Sequence, residues 1–151
     1  MKCSPQTNRT GFTLIEVLTV LTIGAVLATI ALPSYHAVIC RTRRAEGRAA
    51  LLKLMQQQEQ VYTQRTSYVA FSATSSDPDQ LRFKWYSGDT AHASAYEIEA
   101  SPCDTMQIAE CVVLSARPGT KRVNHGFADP HCGVLRLDSF GKMWADSGDC
   151  W

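Results

Sequence analysis

Apolar and polar positions divide the chain into three regimes. Residues 1–10 are polar and carry Lys2 and Arg9. Residues 12–32 are 21 positions of which 15 are apolar, with Glu16 the only charge; at about 1.5 Å per residue this run makes a helix long enough to cross a bilayer. From Arg41 the chain turns polar, with Arg41, Arg43, Arg44, Glu46 and Arg48 within eight residues. Ala49, Ala50, Leu51, Leu52, Leu54, Met55, Val61 and Tyr62 follow at three- and four-residue steps, a helical period with good helix formers. The pattern predicts one helix from Phe12 to about Gln64. Its first half lies in lipid or a filament core, and its second half packs one face on a globular head. Pro33 lacks a backbone donor and predicts a kink or loosening there, with Gly24 weakening the same stretch.

Beyond the helix the period changes. A loop rich in Ser, Asp and Thr runs to about Pro78, and then four short segments alternate apolar and polar or are apolar throughout: 81–85, 96–100, 112–116 and 134–137. Period-two alternation gives a strand one wet and one buried face. The predicted fold class is α+β, the long N-terminal helix against an antiparallel sheet of about four strands.

Composition narrows the function. With 151 residues, 45% apolar, 19% charged and a net charge of +1, the chain builds one core and is neither disordered nor collagen-like. It also lacks the Lys/Arg excess of a general nucleic-acid coat. Residues 71–151 hold seven Lys/Arg and eleven Asp/Glu, so a DNA-binding surface on the head must be local and act against a net negative background. Six cysteines, four in the last 50 residues and none in a CxxC pair, point to disulfides outside the cytosol. No Gly-rich phosphate loop or nucleophile elbow is present, which predicts no enzyme and no cofactor. His125, Asp129, His131 and Cys132 match no standard zinc spacing, and no metal is expected.

Glu16 stands out. A carboxylate four residues inside an apolar run costs a few kcal/mol on insertion scales and needs a partner. The order of segments also differs from a secretory signal, since a cut between Gly11 and Phe12 would leave the apolar run at the new terminus. Gly11-Phe12-Thr13-Leu14-Ile15-Glu16-Val17 followed by an apolar helix resembles the class III signal of type IV pilins and pseudopilins. The resemblance implies that a prepilin peptidase removes residues 1–11, Cys3 included, and that Phe12 becomes the N-methylated terminus of a 140-residue chain. It further implies that Glu16 pairs with the Phe12 amine of a neighbouring subunit, the cation that offsets a carboxylate in a low-dielectric seam. On this reading 12–40 is the transmembrane and filament-core helix, and 41–151 is a head that includes the amphipathic second half of the helix. The precursor is a single-pass inner-membrane protein with a periplasmic head, taken by the pilus assembly platform into a helical filament of other pilin subunits. The arginines at 41–48 outnumber Lys2 and Arg9 and would reverse a simple positive-inside orientation, but the pilin signal overrides that rule. The cluster reads as a solvated collar or as contacts between subunits, with lipid or DNA contact as the alternative.

Two further segments resemble the PilE and ComP group of minor pilins. Glu59 to Tyr68 has the group's E-x-x-Y, polar turn, Y ending of the long helix, with Tyr62 and Tyr68 as corner packing residues. Cys132-Gly133-Val134-Leu135-Arg136-Leu137-Asp138-Ser139-Phe140-Gly141-Lys142, with Cys150 near the end, resembles its C-terminal hairpin and closing cysteine. The four head cysteines allow three connectivities; the resemblance implies Cys132 with Cys150, and a bridge across adjoining strands is the simplest pairing for Cys103 and Cys111. Asp138, Asp146 and Asp149 suggest the calcium sites of some type II secretion pseudopilins, but the cysteine closure argues for the pilus branch. The function so implied is a structural minor pilin-like subunit of a type IV pilus, contributing to biogenesis, adhesion or twitching motility. The alternatives are a type II secretion pseudopilin and a pilus-displayed DNA receptor for transformation. The receptor would use the basic loop with Arg117, Lys121 and Arg122, beside His125.

Overall fold

The computed structural model describes residues 11–151, except for the side chains of 30–34. Helix α1 is Leu14–Arg65, two residues shorter at its start than expected. The Thr13 carbonyl accepts the first bonds, from the Glu16 and Val17 amides at 3.1 and 3.3 Å. At the other end Thr66 takes a φ of 53° and its amide returns to the Tyr62 carbonyl at 2.8 Å, which closes the last turn. The described residues divide into two compact units, the first ending at Ile39 and the second Cys40–Trp151.

In the first unit the side chains from Phe12 to Thr29 are exposed. Thr19, Thr22 and Thr29 each donate their hydroxyl to the carbonyl three residues back, at 2.7–2.9 Å. Such bonds hide the hydroxyls within an otherwise apolar surface. Among the described residues no helix is long and apolar enough to cross a membrane. The expected span over 12–32 and the expected kink at Pro33 both run into side chains 30–34, outside the described residues.

In the second unit the sheet contains β1 (Tyr96–Pro102), β2 (Val112–Pro118), β3 (Leu135–Asp138) and β4 (Met143–Ala145), an antiparallel meander in the order β1-β2-β3-β4. Tyr96, Ile98 and Ala100 of β1 point inward while Glu97 and Glu99 face out. Their register against Pro118, Ala116 and Leu114 puts one apolar face against Leu51 and Leu54 of α1. The helix comes close because Gly47 faces the ring of Tyr96: an added Cβ there would lie 2.9 Å from Cδ2. Gly141 at φ +83° makes the β3–β4 turn, in which Asp138 Oδ1 accepts the Phe140 and Lys142 amides at 3.0 and 2.9 Å.

The segment expected as a first strand, 81–85, is not one. Gln80–Arg82 is a 3-10 turn, Leu81 is exposed and Phe83 is buried. The preceding Asp77-Pro78-Asp79 decides this, since Asp77 Oδ1 accepts the Asp79 amide at 2.8 Å and the Asp77 carbonyl accepts from Leu81 at 3.0 Å. Beyond Phe83 this segment runs beside β1, with the Ile98 amide bonded to the Trp85 carbonyl at 2.7 Å and the Ser87 amide to the Tyr96 carbonyl at 3.1 Å. The fourth strand of the sheet is instead β4, three residues long and half-exposed.

Candidate functional site

Gly11, Phe12 and Glu16 stand at the start of α1 and are exposed, Phe12 with 82% of its surface free. Among the described residues none forms an ion pair with Glu16. Among the described residues, then, the carboxylate lacks the cation that an apolar environment demands.

Cys103 is bridged to Cys111, and Cys132 to Cys150. Each bridge closes a loop on the sheet: the first joins the end of β1 to the start of β2, and the second encloses the β3–β4 hairpin. Cys40 is a half-buried free thiol. Asp138 and Asp146, read above as hints of calcium, are engaged by the chain itself. Asp138 caps the hairpin, and Asp146 accepts from the Val134 amide at 3.0 Å and from Arg136 Nη1 at 2.6 Å. Those two donors hold the Asp146 carboxyl below its ordinary range.

Asp129 is buried and ionic. Arg44 of α1 grips it with Nε on Oδ2 at 2.9 Å and Nη2 on Oδ1 at 2.7 Å, the Tyr96 hydroxyl donates to Oδ2 at 2.7 Å, and the Cys132 amide to Oδ1 at 3.3 Å. Burial pushes this carboxyl up, but the guanidinium, the phenol and the amide together outweigh it and hold it below the usual carboxylate range. Burial, then the adjoining carboxylate, raises the Tyr96 phenol far above its ordinary value. The arginine cluster is therefore not a uniform solvated collar: Arg44 is inside, Arg48 Nη1 reaches the Cys150 carbonyl at 3.4 Å, and Arg43 pairs with Glu46 at 3.0 Å. Sequence spacing gives no sign of which arginine turns inward, because the partner lies 85 residues away.

The basic loop that the receptor alternative would use is largely neutralised by β1. Arg117 places Nε and Nη2 on Glu99 Oε1 at 3.0 and 2.9 Å, and Arg122 Nη1 meets Glu97 Oε1 at 3.2 Å, with the Thr120 hydroxyl on the same carboxylate. Lys121 and His125 are exposed. A second basic surface is not visible in the sequence because its residues lie far apart. A groove of about 440 Å³ between α1 and the 82–87 segment is lined by Lys53, Gln57, Arg82, Lys84 and Tyr86, with Ala50 and Leu54 at its base. Lys84 Nζ lies 4.7 Å over the Tyr86 ring. The one carboxylate in the lining, Glu46, is already matched by Arg43. Lysine, arginine, an amide and an aromatic ring in one open groove form the donor set for phosphate and base contacts.

A processing motif ahead of a long helix, packed by its second half on a four-stranded antiparallel sheet with a disulfide-closed terminal hairpin, defines a pilin subunit. Residues 6–32 match the prokaryotic N-terminal methylation motif, and residues 33–136 match the family described as type IV minor pilin ComP, DNA uptake sequence receptor. The chain belongs to this ComP family of type IV minor pilins. Among solved structures, a type IV pilin from Shewanella oneidensis is 23% identical over 74% of this chain and 97% of that one, with a TM-score of 0.47. No curated protein matches. The protein is thus a minor pilin of a type IV pilus, a structural subunit that assembles with other pilins from a membrane-anchored precursor into a surface fibre.

Proposed function

We propose that this minor pilin carries DNA contact to the filament surface through the groove formed by Lys53, Arg82, Lys84 and Tyr86. The observation that carries the reading is the convergence of Lys53, Arg82 and Lys84 beside the Tyr86 ring in one open groove, where Arg82 has a long ion pair to Asp79 at 3.8 Å, in a head whose other loop arginines are paired more closely. The family's description as a DNA uptake sequence receptor supports it. The precursor sits as a single span in the inner membrane with the head in the periplasm. Prepilin peptidase cuts after Gly11, Phe12 is methylated, and Glu16 joins the Phe12 amine of a neighbour as the assembly platform adds the subunit. The chain catalyses nothing itself.

The test is a salt titration of duplex DNA affinity for the full chain in detergent micelles. Wild type is compared with a Lys53→Gln, Arg82→Gln, Lys84→Gln variant and with Arg117→Gln, Lys121→Gln, Arg122→Gln. Each phosphate that a cation neutralises steepens the log–log slope by about 0.9. The groove variant is therefore expected to flatten that slope by up to roughly three such increments, while the loop variant keeps most binding. Weakened binding confined to the loop variant, or a wild-type slope in the groove variant, overturns the assignment.

A further inference from the structure

The basic groove does not end at Gln57 and Arg82. Both residues also line a recess of about 160 Å³ that continues it along α1, walled further by Gln60, Gln64 and Phe83. Gln57, Gln60 and Gln64 stand at steps of three and four residues, on one face of the helix. Among the described residues no hydrogen bond engages their carboxamides, whereas the buried Gln58 gives both its groups to Val69.

Charge and amide are thus sorted along one groove. Lys53, Lys84 and Tyr86 belong to its first part, the free carboxamides to its second, and Arg82 to both. Tyr86 is a fixed platform: its backbone bridges to Glu97 of β1, and its ring meets Trp85 edge-on at 5.1 Å. The group over its face is the Lys84 ammonium at 4.7 Å, carried on a flexible stem that a phosphate can draw aside.

The spacing of the amides decides which form of DNA meets them. At about 1.5 Å per residue the three carboxamides are about 4.5 and 6 Å apart along the axis, whereas successive nucleotides of a duplex strand advance by about 3.4 Å. Amide and base keep step only where the strand is stretched and its bases are unstacked. A duplex can lay one backbone across Lys53, Arg82 and Lys84, but its base edges, sunk in its own grooves, do not reach the wall of a concave recess. Resting on the DNA reading above, we infer that the groove takes a single unpaired strand, with phosphates on Lys53, Arg82 and Lys84, one base stacked on Tyr86, and the next base edges hydrogen-bonded by Gln57, Gln60 and Gln64.

The experiment titrates the full chain in detergent micelles with a mixed-sequence strand of about a dozen nucleotides, with the duplex of that strand and its complement, and with an abasic strand of the same length. The single strand is expected to bind about tenfold tighter than the duplex, and the abasic strand, which keeps the phosphates without the bases, to lose about tenfold at an unchanged salt slope. The Gln57→Ala, Gln60→Ala, Gln64→Ala variant keeps the charge and the helix, since alanine is the better helix former. It is expected to weaken the single strand by about fivefold or more and leave the duplex as it was, and Tyr86→Leu to do the same. A duplex bound as tightly as the single strand, an abasic strand bound as tightly as the intact one, or variants that weaken both forms alike or neither overturn the inference. The Lys53→Gln, Arg82→Gln, Lys84→Gln variant separates this from the reading beneath it. If that variant flattens the salt slope, those outcomes reject the unpaired strand alone; if its slope stays that of wild type, the groove itself is rejected.

Discussion

Arg44 and Asp129 meet in a bidentate pair across 85 residues of sequence, and the pair joins the helix to the disulfide-closed end of the head. Removing one partner of a buried pair leaves an uncompensated charge, at a cost of about 3–5 kcal/mol. Asp129→Asn is therefore expected to lower the thermal midpoint of the head by about 10 °C or more, while replacement of both residues by apolar ones of similar volume recovers much of the deficit. Calorimetry of the single and double variants checks this.

The same cluster sets a pH dependence with opposite signs at its two ends. The Asp129 carboxyl is depressed on folding, so its contribution is present above the ordinary carboxylate value of about 3.9 and is lost as pH falls through the lower, folded value. The Tyr96 phenol is raised, so its contribution holds below about pH 10 and is lost as pH rises beyond that. Denaturant midpoints measured across pH are expected to fall more steeply below about pH 4 in wild type than in Asp129→Asn, and more steeply above about pH 10 than in Tyr96→Phe.

Gly47 gives a prediction against propensity. Alanine is favoured over glycine in a helix by about 1 kcal/mol, yet the new methyl group would meet the Tyr96 ring at 2.9 Å. Overpacking of this kind costs about 1–3 kcal/mol, so Gly47→Ala is expected to destabilise the head. A compensating Tyr96→Leu, which shrinks the obstructing side chain, is expected to reverse the sign of the Gly47→Ala effect measured in urea.

These residues show what is legible in the sequence. The helix ends and three of the four strands can be read because apolar period and turn residues are local signals. The Glu59, Tyr62 and Tyr68 corner is legible too: the rings stack at 4.5 Å and the Tyr68 hydroxyl donates to Glu59 at 3.0 Å. Leu81 to Trp85 misleads because its alternation outweighs the Asp77-Pro78-Asp79 turn ahead of it, and Met143–Ala145 is too short for any period to show. Arg44, Asp129 and the groove residues are hidden for a different reason. Their meaning lies in pairs brought together by the helix crossing the sheet, which no spacing along the chain encodes.

The proposed processing and assembly roles fall to different residues, Gly11 ahead of α1 and Glu16 in its first turn. A peptidase that cuts after Gly11 requires a residue without a side chain there, so Gly11→Val is expected to accumulate uncut precursor, visible by mass spectrometry as a chain retaining residues 1–11. Glu16→Ala removes a charge that hinders insertion. It is expected to leave cleavage intact while incorporation into sheared pili falls sharply, by immunoblot of surface and membrane fractions.

Gln58 holds the chain leaving the helix. Its carboxamide donates to the Val69 carbonyl at 2.7 Å and accepts from the Val69 amide at 2.9 Å, and the side chain is fully buried. Leucine at this position fills much of the volume but leaves both backbone groups of Val69 without a partner, each at about 1–3 kcal/mol, so Gln58→Leu is expected to destabilise the head by a few kcal/mol. Glutamate distinguishes the two bonds. Ionised, it retains the acceptor for the Val69 amide but turns a charged oxygen toward the Val69 carbonyl; protonated, it regains the donor. Its folded pKa is thus raised, and the variant is expected to be closest to wild type below about pH 4 and to lose stability as pH rises through the raised value. Hydrogen exchange at the Val69 amide reads the bond directly: protection in Gln58→Glu is expected to increase on acidification relative to wild type, and to be absent at every pH in Gln58→Leu.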